Sequence, residues 1–428
     1  MRHSATEKDT EAAEAPAGPL IQGERIAALD IIRGLAILGI LLANITAFSQ
    51  PEIAYYWPPA ITGGAEKSDE YVWLAQYILV DGKFRGLFGI LFGAGMALFV
   101  DRIADHGRAV WMQARRLFWL GLFGIAHFYF LFTGDILFMY ACAGLVTLLA
   151  LNWSPRSLLV AGLGWSIAAS VLLMSDYLAA ALIEMKEIAT VSPSPAWSAI
   201  SMLWDSRVEE AVLRGQLYAH FSYGDIVSYH WQVMTGDLLF NIALAFYDTI
   251  PLILIGMGLF RTGLFTDAAL RRTWRRAAWA GVALSLALNA AAGWSVFAAG
   301  FPPYQTQLVF IGLSPLFNLP MLLGGTLLLT DWAVAARENW LGERLALAGR
   351  MAFTNYIGTS LVMVLIFQGW AGGLFGTMHR MELLLVVALG WALMLTGSRL
   401  WLARFRYGPL EWLWRCLTYG QLFAIRQV

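Results

Sequence analysis

Long apolar runs recur along this chain and settle its class before any motif is read. A helix needs about 20 mostly apolar residues to cross the hydrocarbon of a bilayer. Ten stretches meet that template, at about 26–48, 84–100, 111–131, 134–151, 157–180, 237–260, 277–298, 307–330, 349–370 and 382–403. The second is short, and Tyr71–Val80 before it either extends the span or lies in the interface. The pattern is that of an all-α, polytopic integral membrane protein with about ten transmembrane helices. Composition agrees, with 59% hydrophobic and 14% charged residues, against about 25% charged in soluble domains. A soluble core has no room for that much apolar surface, whereas lipid accepts it. The formal net charge is zero, so no basic field invites nucleic acid.

Orientation follows from where Lys and Arg fall. Arg102 and Arg108 lie between spans two and three, Arg115 and Arg116 at the near end of span three, and Arg156 between four and five. Arg271, Arg272, Arg275 and Arg276 lie between six and seven, Arg337 and Arg344 between eight and nine, and Arg404, Arg406 and Arg415 after the last. The alternate connections are poor in basic residues, so both termini are expected in the cytoplasm. The chain then divides into a disordered cytoplasmic tail (1–24), five spans (25–180), an extracytoplasmic cap (181–236), five more spans (237–403) and a cytoplasmic tail (404–428). No apolar h-region follows Met1 closely enough for a signal peptide. The cap holds Trp197, Trp204, Tyr218, His220, Tyr229, His230 and Trp231. Aromatics of this kind favour the headgroup level, and one or two interfacial helices are expected there. No internal repeat is visible, which weakens an inverted-repeat transporter.

Ionisable residues inside a span are costly and face protein or a water-filled cavity. Asp30 and Arg33 share a face of the first helix at spacing i, i+3. They read either as an interfacial ion pair or as a cytoplasmic mouth for a phosphate-bearing ligand. Asn44, about three turns deeper, is polar at membrane depth and needs a partner. Lys83 and Arg85 fall at the end of span two expected to face outward, against the positive bias, and read as interface anchors or cavity-facing groups. Gly89 and Gly93 after them suit close helix packing. Thr354, Asn355, Tyr356 and Gln368 on span nine read as cavity lining or as interhelical hydrogen bonds.

His127 lies in the outer half of span three, and Asp135 follows a tight turn at Thr133–Gly134. So short a connection brings the two together. A carboxylate beside an imidazole fixes its tautomer and raises its basicity. His127 and Asp135 are therefore the candidate catalytic pair, a general base with its orienting acid. The plainer alternatives are a hydrogen-bonded core histidine and a helix-capping aspartate. Cys142 and Cys416 lack metal-ligand spacing and read as packing residues. No metal is expected. The chain carries no GxxxxGK[ST], GxSxG or HExxH motif, which argues against ATP hydrolysis.

Five stretches together resemble a known family: Leu29–Asn44, Gly82–Gly93, Gly134–Leu137, Gly349–Tyr356 and Arg406–Arg415. They are similar to the YeiB-like family, catalogued as domain of unknown function 418, and the similarity runs through nearly all of the chain after its tail. That family is considered a relative of the transmembrane acyltransferases, including the heparan-alpha-glucosaminide N-acetyltransferase and acyltransferase-3 groups. The shared feature is an Arg, ten intervening residues, then a polar residue, here Arg33 and Asn44. Acyltransferase-3 proteins typically carry a catalytic His at the second position. The heparan-modifying group has Asn there and is thought to use a His in the next outer loop. This chain has Asn44 and no His between Ser49 and Glu70, so neither His carries over and His127 is the one left to replace it.

The resemblance implies a protein of the bacterial inner membrane with no permanently bound cofactor and acyl-CoA as co-substrate. A small-molecule, lipid or sugar acceptor would arrive from outside. Asp30, Arg33, Asn44, Lys83, Arg85, Asn355 and Tyr356 are the expected binding residues around His127 and Asp135. The alternative is a proton-coupled transporter or exporter of a small amphipathic solute. The lipid bilayer is the partner expected in either case, and an oligomer is compatible with both.

Overall fold

The computed structural model describes residues 27–103, 105–187 and 193–427. The tail expected over 1–24 lies outside them. Among the described residues there is no β-strand, and the helices follow one another as α1 (Ala27–Ser49), α2 (Lys67–Leu79), α3 (Lys83–Val100), α4 (His106–Phe130), α5 (Leu137–Thr147) and α6 (Pro155–Glu187). Then come α7 (Pro195–His220), α8 (Tyr223–Gln232), α9 (Thr235–Leu244), α10 (Ile250–Arg261), α11 (Ala268–Ala298) and α12 (Pro303–Gln307). The last are α13 (Ser314–Ala336), α14 (Trp340–Arg350), α15 (Ala352–Phe367), α16 (Arg380–Leu402) and α17 (Pro409–Tyr419). Short π-helical turns, Ala245–Thr249 and Leu308–Leu313, join α9 to α10 and α12 to α13.

Seven helical stretches among the described residues are long and apolar enough to cross a membrane, and the α14–α15 pair, bent by 83°, makes eight. The chain is thus an all-α membrane protein. Eight of the ten expected spans coincide with these stretches. The other two, 111–131 and 134–151, fall on α4 and α5. α4 is too polar because its first half carries Arg108, Gln113, Arg115 and Arg116, and α5 is only 11 residues long. α4 packs on α5, α17 and α3. Near its start, Arg116 and Arg33 both lie along the Gly95–Phe99 stretch of α3. Just past its end, Phe132 stacks on Phe48, near the end of α1, with ring centroids 3.9 Å apart.

α1 is the hub, buried over most of its length and packed by α3, α13, α14, α15 and α16. Small residues let backbones touch. A Cβ on Gly34 would stand 2.0 Å from Leu345 O, and one on Gly349 1.9 Å from Asp30 O, so α14 lies directly on the first turns of α1. Gly93 of α3 and Gly256 of α10 do the same for that pair. Gly376 N–H donates to Ser49 O, and Trp391 Nε1–H to Leu38 O. α16 therefore runs antiparallel to α1, and their Ala27 and Leu402 ends share one side of the bundle.

The cap is two helices, α7 and α8, and its aromatics pack inward more than the expected headgroup belt would. Trp204 is buried against Trp57 and Tyr304. His230 donates from Nδ1 to Tyr129 O at 3.0 Å and accepts from the Tyr218 hydroxyl at Nε2, 2.9 Å away. Burial pushes its pKa down, which keeps the ring neutral and the tautomer fixed. The stretch 404–428, expected as a tail, is folded over its described residues: α17 packs on α4, and Phe405 pairs with Arg426.

Candidate functional site

The turn between α4 and α5 places Asp135 where it serves two partners. Its Oδ2 accepts the Phe138 N–H at 2.7 Å, capping the start of α5. Its Oδ1 lies 2.8 Å from His127 Nδ1. Both side chains are sealed from solvent. A third group, absent from the expected set, completes the chain: Ser360 Oγ of α15 lies 2.8 Å from His127 Nε2. Tyr356, one turn earlier on α15, tilts its ring 4.9 Å from the imidazole, and its hydroxyl accepts the Ile136 N–H. A carboxylate, an imidazole and a hydroxyl thus lie in line, the order in which a base is oriented and aimed at an O–H.

The far side of Ser360 opens on a narrow crevice between α1 and α15. Ile37, Leu41, Asn44 and Phe48 of α1 and Tyr356, Thr359 and Ser360 of α15 are among its lining residues. Its free volume, about 10 Å³, is that of a single water. The Asn44 amide makes no side-chain hydrogen bond among the described residues, so the partner its depth demands is not supplied by a neighbouring helix. Positions 33, 37, 41, 44 and 48 fall at helical spacing on one face of α1. The crevice therefore continues the face that begins at Arg33.

At that end Arg33 pairs with Asp30 at 2.9 Å. Two further arginines stand near. Arg116 stacks on Trp414, 4.4 Å from the ring centroid, and feels the charges of Arg33 and Arg415. Arg415 in turn lies 4.2 Å over the Tyr407 ring. From Arg33 to Asn44 on α1, and from Arg116 to His127 on α4, is eleven residues, about 16 Å at helical rise.

Lys83 and Arg85 do not join this crevice. They follow a break in the α2–α3 stretch where Gly82 takes φ 75°. The break lies beside the middle of α1 instead of at an outer end: Gly39 faces the Phe84 ring, and Gln76 Nε2 donates to Leu42 O. Lys83 is buried, donating to Tyr77 O and standing 3.4 Å from Asn289 Oδ1. Arg85 pairs with Asp248 on the first π-helical turn. Asn355 is structural, donating to Ala348 O at 3.0 Å and Ser398 Oγ at 2.9 Å across the α14–α15 bend. Gln368 accepts from Trp370 Nε1 and does not reach the crevice. Among the described residues no three His, Cys, Asp or Glu side chains gather to hold a metal ion.

Comparison with known proteins gives a family and no activity. Residues 259–421 match the family described as protein of unknown function (DUF418). The chain is 31% identical over 417 residues to the uncharacterized protein YeiB of Escherichia coli (strain K12), covering 92% of this chain and 96% of that protein. It is 27% identical over 427 residues to the uncharacterized protein YxaH of Bacillus subtilis (strain 168), covering 94% and 96%. A 39.9 kDa uncharacterized protein of Bacillus acidopullulyticus is 26% identical over 412 residues, covering 95% of this chain and 97% of that protein. No solved structure matches. Near-complete coverage at this identity places the chain in the YeiB-like DUF418 family.

Proposed function

We propose that this protein transfers an acyl group from a cytoplasmic donor of the acyl-CoA type to an acceptor reached from the other side of a bacterial inner membrane. The observation that carries this reading is the sealed Asp135–His127 pair ending on a hydroxyl, 2.8 Å at each step. Asp135 holds the ring proton on Nδ1, which leaves the Nε2 lone pair free to take a proton from an attacking O–H or N–H. The arginines around Arg33 support an anionic head at one end. The rise of about 16 Å along α1 from Arg33 to Asn44 fits a neutral arm that brings a thioester to the buried pair. The Asn44 amide is free to hydrogen-bond the donor's carbonyl. Because the crevice holds about one water, the seam between α1 and α15 must open to admit the arm.

The test is turnover of acyl-CoA by protein reconstituted in nanodiscs, read as thiol release together with acylation of a hydroxyl or amine acceptor. His127→Ala should cut the rate about 10²- to 10⁴-fold, the range of a general base, while the variant remains folded in the membrane. Full transfer by His127→Ala would refute the assignment.

A proton-coupled carrier is the second reading, favoured by helices broken at membrane depth: the α2–α3 break and the 83° bend between α14 and α15. Flux in liposomes separates the two. Proton-coupled uptake of a solute that emerges chemically unchanged would favour the carrier.

A further inference from the structure

The hydroxyl at the end of the His127 chain has a single proton, and the geometry decides where it goes. Ser360 Oγ is 2.8 Å from His127 Nε2 and 3.2 Å from Tyr356 O, the carbonyl one turn back that helical serines bond by default. An ionised carboxylate only accepts hydrogen bonds, and Asp135 takes the Phe138 N–H on Oδ2 while Oδ1 stands against His127 Nδ1. The ring proton is therefore on Nδ1, and Nε2 presents a lone pair to Ser360. The shorter contact to the stronger acceptor takes the serine proton. The neighbouring Thr359 supplies the contrast. Its hydroxyl donates to Asn355 O at 2.6 Å, an ordinary back-bond, and no imidazole meets it among the described residues. Both residues border the crevice together with Asn44, but only the Ser360 oxygen has a base behind it.

We propose that Ser360 is the nucleophile of this site and carries the acyl group as a serine ester between donor and acceptor. This rests on the acyl-transfer reading above and specifies its path as two half-reactions. In the first, Ser360 Oγ attacks the thioester carbonyl carbon of the donor as its proton passes to His127 Nε2. The tetrahedral adduct collapses with cleavage of the C–S bond, and the sulfur leaves with the proton from Nε2 as a free thiol. In the second, an acceptor hydroxyl or amine attacks the ester carbonyl and gives its proton to Nε2. The C–Oγ bond breaks, and Oγ recovers that proton. Asp135 stays ionised throughout and stabilises the transient imidazolium. The Asn44 amide is the donor available to the oxyanion in both halves. The two-step path separates the substrates in time, which suits a crevice too narrow to hold donor and acceptor together.

The full-length protein in nanodiscs is incubated with acetyl-CoA, or with a long-chain acyl-CoA, in the absence of acceptor, then digested and analysed by mass spectrometry. The Ser360 peptide should gain the mass of one acyl group, and Ser360→Ala and His127→Ala should lose the adduct. Ser360→Cys should trap a thioester that neutral hydroxylamine cleaves. If wild-type protein releases thiol and acylates an acceptor while the Ser360 peptide stays unmodified, the covalent path is overturned and the acyl-transfer reading stands. Turnover retained by Ser360→Ala would have the same meaning. If wild-type protein releases no thiol from either donor, both proposals fall. The adduct is mapped on the wild-type chain, so a folding defect in one variant does not blunt the test.

Discussion

Asp135 uses one oxygen to start a helix and the other to orient a base, and the two uses can be separated. Asparagine keeps an accepting oxygen for the Phe138 N–H but turns an N–H₂ toward His127 Nδ1, forcing the ring proton onto Nε2. Asp135→Asn should leave the melting temperature in detergent nearly unchanged and lower turnover about 10²-fold or more, by the loss expected of a misoriented base. Asp135→Ala removes the cap as well and should cost about 1 kcal/mol of stability. Both are read by thermal unfolding beside the activity assay. The pairing of His127 with Asp135 is legible in the sequence because eight residues and a tight turn separate them. Ser360 is not, since 233 residues separate it from His127, and a serine in an apolar helix looks like any other. Only the packing of α15 against the α4–α5 turn gives it a partner.

A second residue-scale feature lies at the opposite end of the sequence's reach. His379 caps the start of α16 and hydrogen-bonds through Nδ1 to Asp69 Oδ2 at 2.8 Å. That bond raises the imidazole pKa above its ordinary 6.5. A raised folded-state value means that the stabilisation is complete below about pH 6.5, the unfolded value, and fades as pH rises through the folded one. The clasp between α2 and α16 should loosen accordingly. The melting temperature should fall with rising pH across that window, and His379→Ala should flatten the dependence.

At the scale of elements, glycines and breaks decide what sits where. Gly93 faces Ile253 O so closely that a Cβ would stand 2.1 Å away. Gly93→Ala should push α3 from α10 and cost about 1–3 kcal/mol, seen as a lower melting temperature. Glu411 of α17 caps α15, accepting from Phe353 N–H at 2.8 Å, Thr354 N–H at 3.1 Å and Thr354 Oγ1 at 2.5 Å. Glu411→Ala should therefore destabilise by about 1–2 kcal/mol, although the region reads from sequence as a plain tail. Hydropathy located the spans well because it measures what lipid demands. It could not foresee that Gly82 breaks α2 from α3 beside the middle of α1. For that reason Lys83 and Arg85 read as outer-end residues, while they sit at mid-depth with Asn289 and Asp248.

Across the whole molecule the candidate site has two ends joined by one face of α1. Arg33, Arg116 and Arg415 mark one end and the His127 chain the other, and the residues come from both halves of the sequence. The matched family region, 259–421, contains Tyr356, Ser360 and Arg415. His127, Asp135, Asn44 and Arg33 lie before it, so the site exists only when the two halves pack. Charge counting anticipated a basic end. It could not say that Arg116 would stack on Trp414 of the C-terminal helix.

The most direct measurement is the rate of thiol release from acyl-CoA by the protein in nanodiscs, wild type beside His127→Ala at equal folded amounts. The account predicts acyl-dependent release by the wild type and a drop of about 10²- to 10⁴-fold in the variant. Equal rates in the two, or none in the wild type, would contradict it.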